Sequence, residues 1–395
     1  MAPNESLQTQ VYHSLEELES LRSEWEALLS TSPSATMFST PEWLIPWWRA
    51  FGGHDRLRVL AVRDKFSLLV GFAPLALTNY RGFGMELRLL RLVGDGSHDS
   101  DNLDLPVRPG GEAGFGGALL DWLEQQAADW DICRLNTLPS HSPVANRLID
   151  DLNKRGWTYF SSSLPRCVVD LPESWESYLK GLSGKERGKI GLRTRRLHKR
   201  YKVRIRKCVE EDQLDPALGA LFELHSKHWR LRGLPGTLHV PARQRFYHEL
   251  ARLLLRRKQL EFWLLELDDK IVAAQFGFRH GDVVFSQQEG FDPDYSSDSI
   301  GYVLRSQVLK HLIANGVRHY DFLGGTDDSK VRWGAQVKSY LNIEFARPLT
   351  RGSVDLVLKY KSAATKRWLR EYLPAQAWQV LKTVGARLRK RRTLE

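Results

Sequence analysis

The sequence predicts an α+β fold in which one supersecondary plan is written twice, each copy a mostly antiparallel mixed sheet with flanking helices. Three observations predict it. Apolar residues at helical spacing alternate with short strand-like runs joined by charged turns. The stretches LAVRDKFSLLVGFAPL and LLELDDKIVAAQFGFR, in the first and second halves, match in pattern. At 395 residues the chain exceeds one ordinary core, so two domains are expected.

In the first copy, residues 15–29 place Leu15, Leu18, Leu21, Trp25, Leu28 and Leu29 on one helical face. A second helix follows Pro41, carrying Trp43, Leu44, Trp47 and Trp48. Strands at 57–62 and 68–77 flank the turn Arg63-Asp64-Lys65, and Gly82–Gly84 precede a third at 86–93. A helix at 115–128 and a strand at 131–138 close the unit. The second copy repeats the order. Its helices cover 214–229 and 243–255, and strands 261–267 and 271–279 are joined at Asp268-Asp269-Lys270. Strand 283–288, helix 301–315 and strand 319–323 follow. The predicted domains are 1–165 and 166–350, meeting near 159–171, with a basic arm at 180–207 and a basic amphipathic helical segment at 351–395. In the arm, Gly181, Gly184, Gly188 and Gly191 weaken the start of a helix, and 192–200 is the better helical run.

Composition narrows the class. A hydrophobic fraction of 42% and a charged fraction of 27% suit a soluble globular protein. The thirteen Trp are expected mainly as core plugs. Cys133, Cys167 and Cys208 are too few and too widely spaced for a disulfide framework or a zinc site, which fits a reducing cytoplasm. The first residues lack a basic-apolar signal segment, and no run approaches ~20 apolar residues, the length that spans a bilayer. The net charge of +11 is local: residues 185–207 carry +11 and residues 351–395 carry +9, leaving the remainder acidic at −9. Residues 94–106 hold His98, Asp99, Asp101 and Asp104 without the spacing of a calcium loop. They are expected as a solvated loop lining the cleft between domains, able to hydrogen-bond sugar hydroxyls.

The chemistry concentrates at residues 294–325, a polar loop, a helix and a strand. Ser299, Ile300 and Gly301 open the helix, Leu304, Val308 and Leu312 share one face, and Asn315-Gly316 cap its end. A small residue at a helix start lets phosphate oxygens approach free backbone N–H groups, where the helix dipole favours an anion; pyrophosphate is the expected ligand.

The stretch VVFSQQEGFDPDYSSDSIGYVLRSQVLKHLIANGVRHYDFLGG resembles the GNAT-like acyltransferase domain of the CelD type, associated with cellulose and exopolysaccharide gene sets. More distantly it resembles the Fem-type aminoacyl-tRNA-dependent ligases of peptidoglycan synthesis. LHSKHWRLRG and the strands at 261–288 extend the resemblance over roughly 180–336, and Tyr320-Asp321-Phe322 followed by Gly324-Gly325 and Lys330 is its most specific part. It implies tandem GNAT-like domains, the first degenerate, with acetyl-CoA or another acyl-CoA as co-substrate and no metal. It implies acyl transfer to an amine or hydroxyl of a small-molecule or glycan acceptor.

Such transfer requires positioned reactants, a base for the nucleophile and stabilisation of the tetrahedral oxyanion. Asp321, between Tyr320 and Phe322, is a candidate base whose partial desolvation raises its pKa. The alternative is a salt bridge to Arg318 or Lys330. Glu289 is a second candidate, and Tyr295 could protonate a leaving thiolate. Ser299, Ile300, Gly301 and Tyr302 are the candidate cofactor-binding residues. Trp229, Arg232, Lys330 and Trp333 are candidates for the acceptor pocket, beside His225. Lys185, Arg187, Arg193 and Arg196 are expected near the cleft, where they could hold a polyanionic donor. Nucleic acid enters only as tRNA, under the Fem-like alternative. A third reading is a non-catalytic accessory protein of a polysaccharide synthase. The protein is expected in the cytoplasm, and the basic C-terminal segment with Trp368, Tyr372 and Trp378 suits either an anionic membrane surface at the inner face or a helix packed on the catalytic domain with a solvated basic end.

Overall fold

The structure, a computed structural model, describes residues 7–97, 99–231 and 233–372. The first half runs β1 (Gln8–Tyr12), α1 (Leu15–Ser20), α2 (Arg22–Thr31), α3 (Pro41–Phe51), β2 (Arg56–Arg63), β3 (Leu69–Gly82) and β4 (Met85–Leu92). It ends with α4 (Glu112–Gln125), β5 (Ile132–Pro139), α5 (Pro143–Lys154) and β6 (Thr158–Asp170). The connecting helices α6 (Trp175–Gly181) and α7 (Gly184–Arg200) lead into β7 (Val203–Lys207), α8 (Leu214–Arg230), α9 (Pro241–Arg256), β8 (Leu260–Leu267), β9 (Lys270–His280) and β10 (Val283–Phe291). Then come α10 (Ile300–Ala314), β11 (His319–Gly324), α11 (Asp328–Val331), β12 (Gln336–Ala346) and α12 (Arg351–Tyr372).

Local chemistry sets many of these boundaries. Ser14 and Glu17 form a reciprocal capping box at α1. Ser142 caps α5, whose first position is Pro143. Asp268 and Asp269 both take positive φ, 49° and 65°, in the two-residue hairpin joining β8 and β9. That is the twist a tight hairpin needs. Gly290 is required for packing, because a Cβ there would lie 2.8 Å from the His225 backbone nitrogen of α8.

The two halves repeat as expected, but they share one sheet. Its order is β1-β2-β3-β4-β5-β12-β6-β11-β10-β9-β8-β7, antiparallel except for β4–β5 and β10–β11. Each half's last strand crosses into the other: β12 pairs with β5 and β6 pairs with β11, while β6 and β12 pair with each other over eleven residues. The predicted junction at 159–171 is therefore a strand at the centre of the sheet. The halves are related by an approximate two-fold between β6 and β12. Equivalent bulges confirm it: β5 shifts register against β12 around Thr137, and β11 shifts against β6 around Leu323. Both residues have positive φ, 56° and 60°.

The core is shared too. Trp43 of α3 packs edge-on against Phe246 of α9, with centroids 5.3 Å apart, and Phe38 meets Phe285 of β10 at 5.7 Å. Trp25, Trp43, Trp47, Trp130 and Trp333 are fully buried, as the core-plug expectation requires. Trp43 Nε1 donates to Ser100 Oγ and Trp47 Nε1 to Ser97 Oγ, each at 2.8 Å. A second core lies across the sheet, where Ile300, Leu304, Val308 and Leu312 of α10 cover Tyr320 and Phe322 of β11.

Three local expectations are corrected. Residues 15–29 form two helices, because a turn at Leu21 (φ −80°, ψ −7°) lets Leu18, Leu21 and Trp25 all bury. The glycines of the arm do not break it, since Ser183 caps α7 and the helix is continuous from Gly184. Residues 94–106 are not a solvated loop; most are buried between the halves. Of the C-terminal segment, α12 docks on β6 and β12, with Tyr360 stacked on Phe160 at 4.1 Å. Trp378 and the rest of 373–395 lie outside the described residues.

Buried Glu344 of β12 gathers Arg134 at 2.5 Å, Tyr360 at 3.0 Å and Lys359. Glu344→Ala strands the Arg134 guanidinium and should cost about 3–5 kcal/mol, as for other broken buried pairs. Urea unfolding measures it, and wild-type stability would show that this cluster does not hold α12 and β12 to β5.

Candidate active site

The parallel pair β10–β11 sets the geometry. Its register runs through only three steps, Val283–His319, Val284–Tyr320 and Phe285–Asp321, after which β10 bulges between Ser286 and Gln288 and the strands separate. A cleft of about 730 Å³ opens there. One wall is Ser286–Glu289 of β10 with Arg305 of α10. The other is Phe322–Gly324 of β11 with Lys330 of α11. The first half contributes Asp95, Asp101, Asn136 and Thr137, the last two from the equivalent bulge of β5.

Glu289 is in this cleft, held by both oxygens to Arg305 and reached by Ser286 Oγ at 3.3 Å. Arg305 is packed over the rings of Phe322, at 5.0 Å, and Trp333, at 5.8 Å. Its charge is stabilised by Glu289 against the cost of burial, so it stays protonated. Lys330 also lines the cleft, its ammonium donating to the carbonyls of Phe322 (3.2 Å), Gly324 (2.7 Å) and Gly325 (3.3 Å). Glu289 and two cations, Arg305 and Lys330, thus flank the opening, and no His, Cys, Asp or Glu group among the described residues is arranged to hold a metal ion.

Asp321 is placed differently. Side chains alternate along a strand, and Asp321 faces away from the cleft into a cavity on the other side of the sheet. There it accepts from Arg166 Nη1 at 2.8 Å and from the Leu323 amide at 2.8 Å. Burial raises its pKa as expected, against the opposing pull of Arg166. The partner is Arg166, not Arg318 or Lys330, and a base at the cleft is not available from this carboxylate. Tyr295 packs against Tyr201, with Lys270 over its ring at 5.2 Å, and is not in the cleft wall.

The helix start has the geometry of an anion site. Ser299 turns into α10 with φ 56° and no side-chain cap. Tyr302 and Val303 donate to the Ser299 carbonyl, while the Ile300 and Gly301 amides have no backbone acceptor among the described residues. The nearby carboxylate Asp298 is neutralised by Arg200 and bonded by Tyr201 at 3.1 Å. Ile300 is buried. Tyr302 is engaged with Glu186 (3.1 Å), with Arg193 over its ring at 4.4 Å, and lies 4.5 Å from Trp333. Trp333 is a core residue between α10 and α6, its carbonyl accepting from Tyr178, so it does not line the acceptor side. Trp229 and His225 lie together at the end of α8, rings 5.9 Å apart and outside the cleft wall. Burial pushes His225 down to about 4. Arg232 lies outside the described residues. All three cysteines are buried, and burial pushes the Cys208 thiol up to about 11.

Sequence reasoning missed Arg305, Asn136 and Thr137, whereas Asp95 and Asp101 belong to the 94–106 loop expected to line the cleft. Arg305 sits at a helical position between apolar neighbours, a charge where periodicity asks for none, and that was the available signal.

Residues 184–331 match the family described as acetyltransferase (GNAT) domain. The match lies within the second half of the chain, and the paired halves have a duplicated GNAT-like fold. A search of the curated proteins gave no match. Among solved structures, that of FemX aligns with a TM-score of 0.59 at 11% identity, over 85% of this chain and 96% of that one. A conserved protein of unknown function from Bacteroides thetaiotaomicron VPI-5482 aligns at 0.52 and 12% identity, over 82% and 97%. The C-terminal domain of a putative lysylphosphatidylglycerol synthetase from Agrobacterium fabrum aligns at 0.50 and 11%, over 86% and 95%. At these identities the likeness shows the fold.

A Cβ on Gly301 would meet only Phe291, at an ordinary 3.5 Å. Gly301→Ala should therefore fold like the wild type. Gly301→Glu should weaken acyl-CoA binding by about tenfold or more, roughly 1.4 kcal/mol, by setting a carboxylate beside the free amides. Calorimetry on both variants decides it, and equal affinity would remove the phosphate from this helix start.

Proposed function

We propose that the chain transfers an acyl group from a thioester, acetyl-CoA or another acyl-CoA, to an amine or hydroxyl of a polar acceptor. The observation that carries this is the opening of the β10–β11 pair into a cleft with Glu289 and Arg305 on one wall and Lys330 on the other. The thioester's pyrophosphate would rest on the Ile300 and Gly301 amides, with its arm directed into the gap between the strands. Glu289, partly exposed in the cleft, takes the proton from the attacking group. Lys330, fixed by three carbonyls, supplies positive charge where the tetrahedral oxyanion develops. Asp95, Asp101 and Asp327 give the acceptor side an acidic lining, which favours an amine or a polyhydroxylated acceptor such as an amino sugar or glycan. A place in exopolysaccharide or cell-envelope synthesis follows from that acceptor class. On α12, exposed Val354, Leu358 and Trp368 beside Lys361, Lys366, Arg367 and Arg370 support docking at an anionic membrane surface.

One observation supports a second reading, an aminoacyl-tRNA donor. Helix α7 lies along the start of α10, its Glu186 bonded to Tyr302 and its Arg200 to Asp298. It presents exposed Lys185, Arg187, Arg195, Arg196 and Lys199, a stripe suited to phosphates.

Purified protein supplied with acetyl-CoA and a panel of amino sugars and amines should release free CoA thiol in an acceptor-dependent manner. Glu289→Gln should slow turnover by about 10²–10⁴-fold with thioester affinity nearly kept. Thiol release at the wild-type rate would exclude Glu289 as the base. Absence of acetyl-CoA binding, with RNase-sensitive transfer from charged tRNA, would replace the first reading by the second.

A further inference from the structure

Behind the cleft, on the opposite face of the sheet, lies a separate cavity of about 340 Å³ that shares no lining residue with it. Both halves build it. Asp104 and Ser142 come from the first, Arg166 from the central strand β6, and His280, Asp321 and Lys338 from the second. Its volume is at the small end of the range for ligand pockets, roughly 300–1,000 Å³.

Among the described residues its polar atoms are unevenly used. Asp104 is 2% exposed; its Oδ1 accepts from Ser142 Oγ and the Leu105 amide, both at 2.8 Å, but its Oδ2 has no partner. Arg166 gives Nη1 to Asn102 and Asp321, each at 2.8 Å, and leaves Nε without an acceptor. His280 Nδ1 is likewise unbonded. Buried polar atoms are nearly always paired, so three orphans around one cavity imply an occupant. They comprise a donor, an acceptor and an imidazole nitrogen, set beside the apolar faces of Phe285, Val168 and Pro139. A simple anion would satisfy Arg166 and oppose Asp104; a simple cation would do the reverse. Hydroxyl groups, which donate and accept, satisfy both.

We propose that this cavity is a binding site for a polyhydroxylated small molecule the size of one sugar ring, held by Asp104, Arg166 and His280. Burial pushes the Asp104 carboxyl up to about 7, so near neutral pH its free oxygen can donate to one hydroxyl or accept from another. The site is coupled to the acyl-transfer cleft by direct bonds. Arg166 holds Asp321, whose neighbours Phe322–Gly324 form the cleft wall. Asn102 holds Arg166, and its neighbour Asp101 accepts from the Gly324 amide at 3.0 Å. The inference does not depend on the acyl-transfer reading.

Saturation-transfer NMR on the full chain with glucose, glucosamine and glucuronate tests it. At least one should show transfer at millimolar concentration. The signal should be lost in His141→Trp, which fills the exposed mouth of the cavity, and weakened in His280→Ala. Thermal melting of both variants confirms that they are folded, and thiol release from acetyl-CoA is followed separately. Absence of transfer from all three sugars, or transfer that survives both substitutions, would overturn the site and leave ordered water as the occupant.

Discussion

The arrangement of both cavities depends on one loop, residues 95–97 and 99–104, most of it buried between the halves. Acidic groups are costly to bury; Asp99 and Asp101 are matched by partners from elsewhere in the chain, while Asp104 keeps one oxygen unpaired among the described residues. Asp99 accepts from Arg243 Nε at 2.8 Å and Tyr247 at 3.0 Å, and its carbonyl accepts from Gln287 of β10. Asp101 fixes the end of β11 through the Gly324 amide, and Asn102 accepts from Arg166. Removing the partner of buried Asp99 would leave a charge uncompensated, so the loop ties the halves together. Ser97 and Ser100 extend the same logic by receiving the indoles of Trp47 and Trp43.

Strand exchange gives that interface its second constraint. Because β12 lies beside β5 and β6 beside β11, each half's opened strand pair borders the other half. The bulges at Thr137 and Leu323 then fall on one continuous cleft. The first half's counterpart helix, α4, starts after Gly110-Gly111, and the bulge of β5 supplies Asn136 and Thr137 to the wall. Duplication here makes one composite cleft, with Glu289, Arg305 and Lys330 contributed by the second half and Asp95 and Asp101 by the first.

Much of this was legible in the sequence. The hairpin at Asp268-Asp269, the helix from Ser299 and the strand through Tyr320-Asp321-Phe322 follow from local chemistry: turn residues, helical period and strand alternation. Strand partners were not legible. β12 was missed because its alternation is spoiled by exposed Val337 and Lys338 at one end and by the buried Glu344 at the other. Residues 94–106 were read as solvated because acidity usually means exposure; only tertiary partners such as Arg243, about 140 positions away, make them core. Lys330 and Glu289 could be nominated because they flank the recognisable motif, whereas the ion pair that joins Glu289 to Arg305 depends on how α10 is rotated on the sheet.

The case of Asp321 shows how strand geometry outranks residue type. Tyr320, Asp321 and Phe322 are consecutive, so a strand must send the middle side chain to the face opposite its neighbours. Tyr320 and Phe322 belong to the core beneath α10, with the Tyr320 hydroxyl accepting from Gln275 at 2.7 Å. Asp321 is thereby committed to the reverse face, where Arg166 and the Leu323 amide offset the cost of burying it. The same alternation places Phe285 toward the rear cavity and Ser286 toward the cleft on β10. The two cavities are thus separated by the thickness of a single strand layer, and Arg166–Asp321 is the ion pair that ties the rear one to the wall of the other.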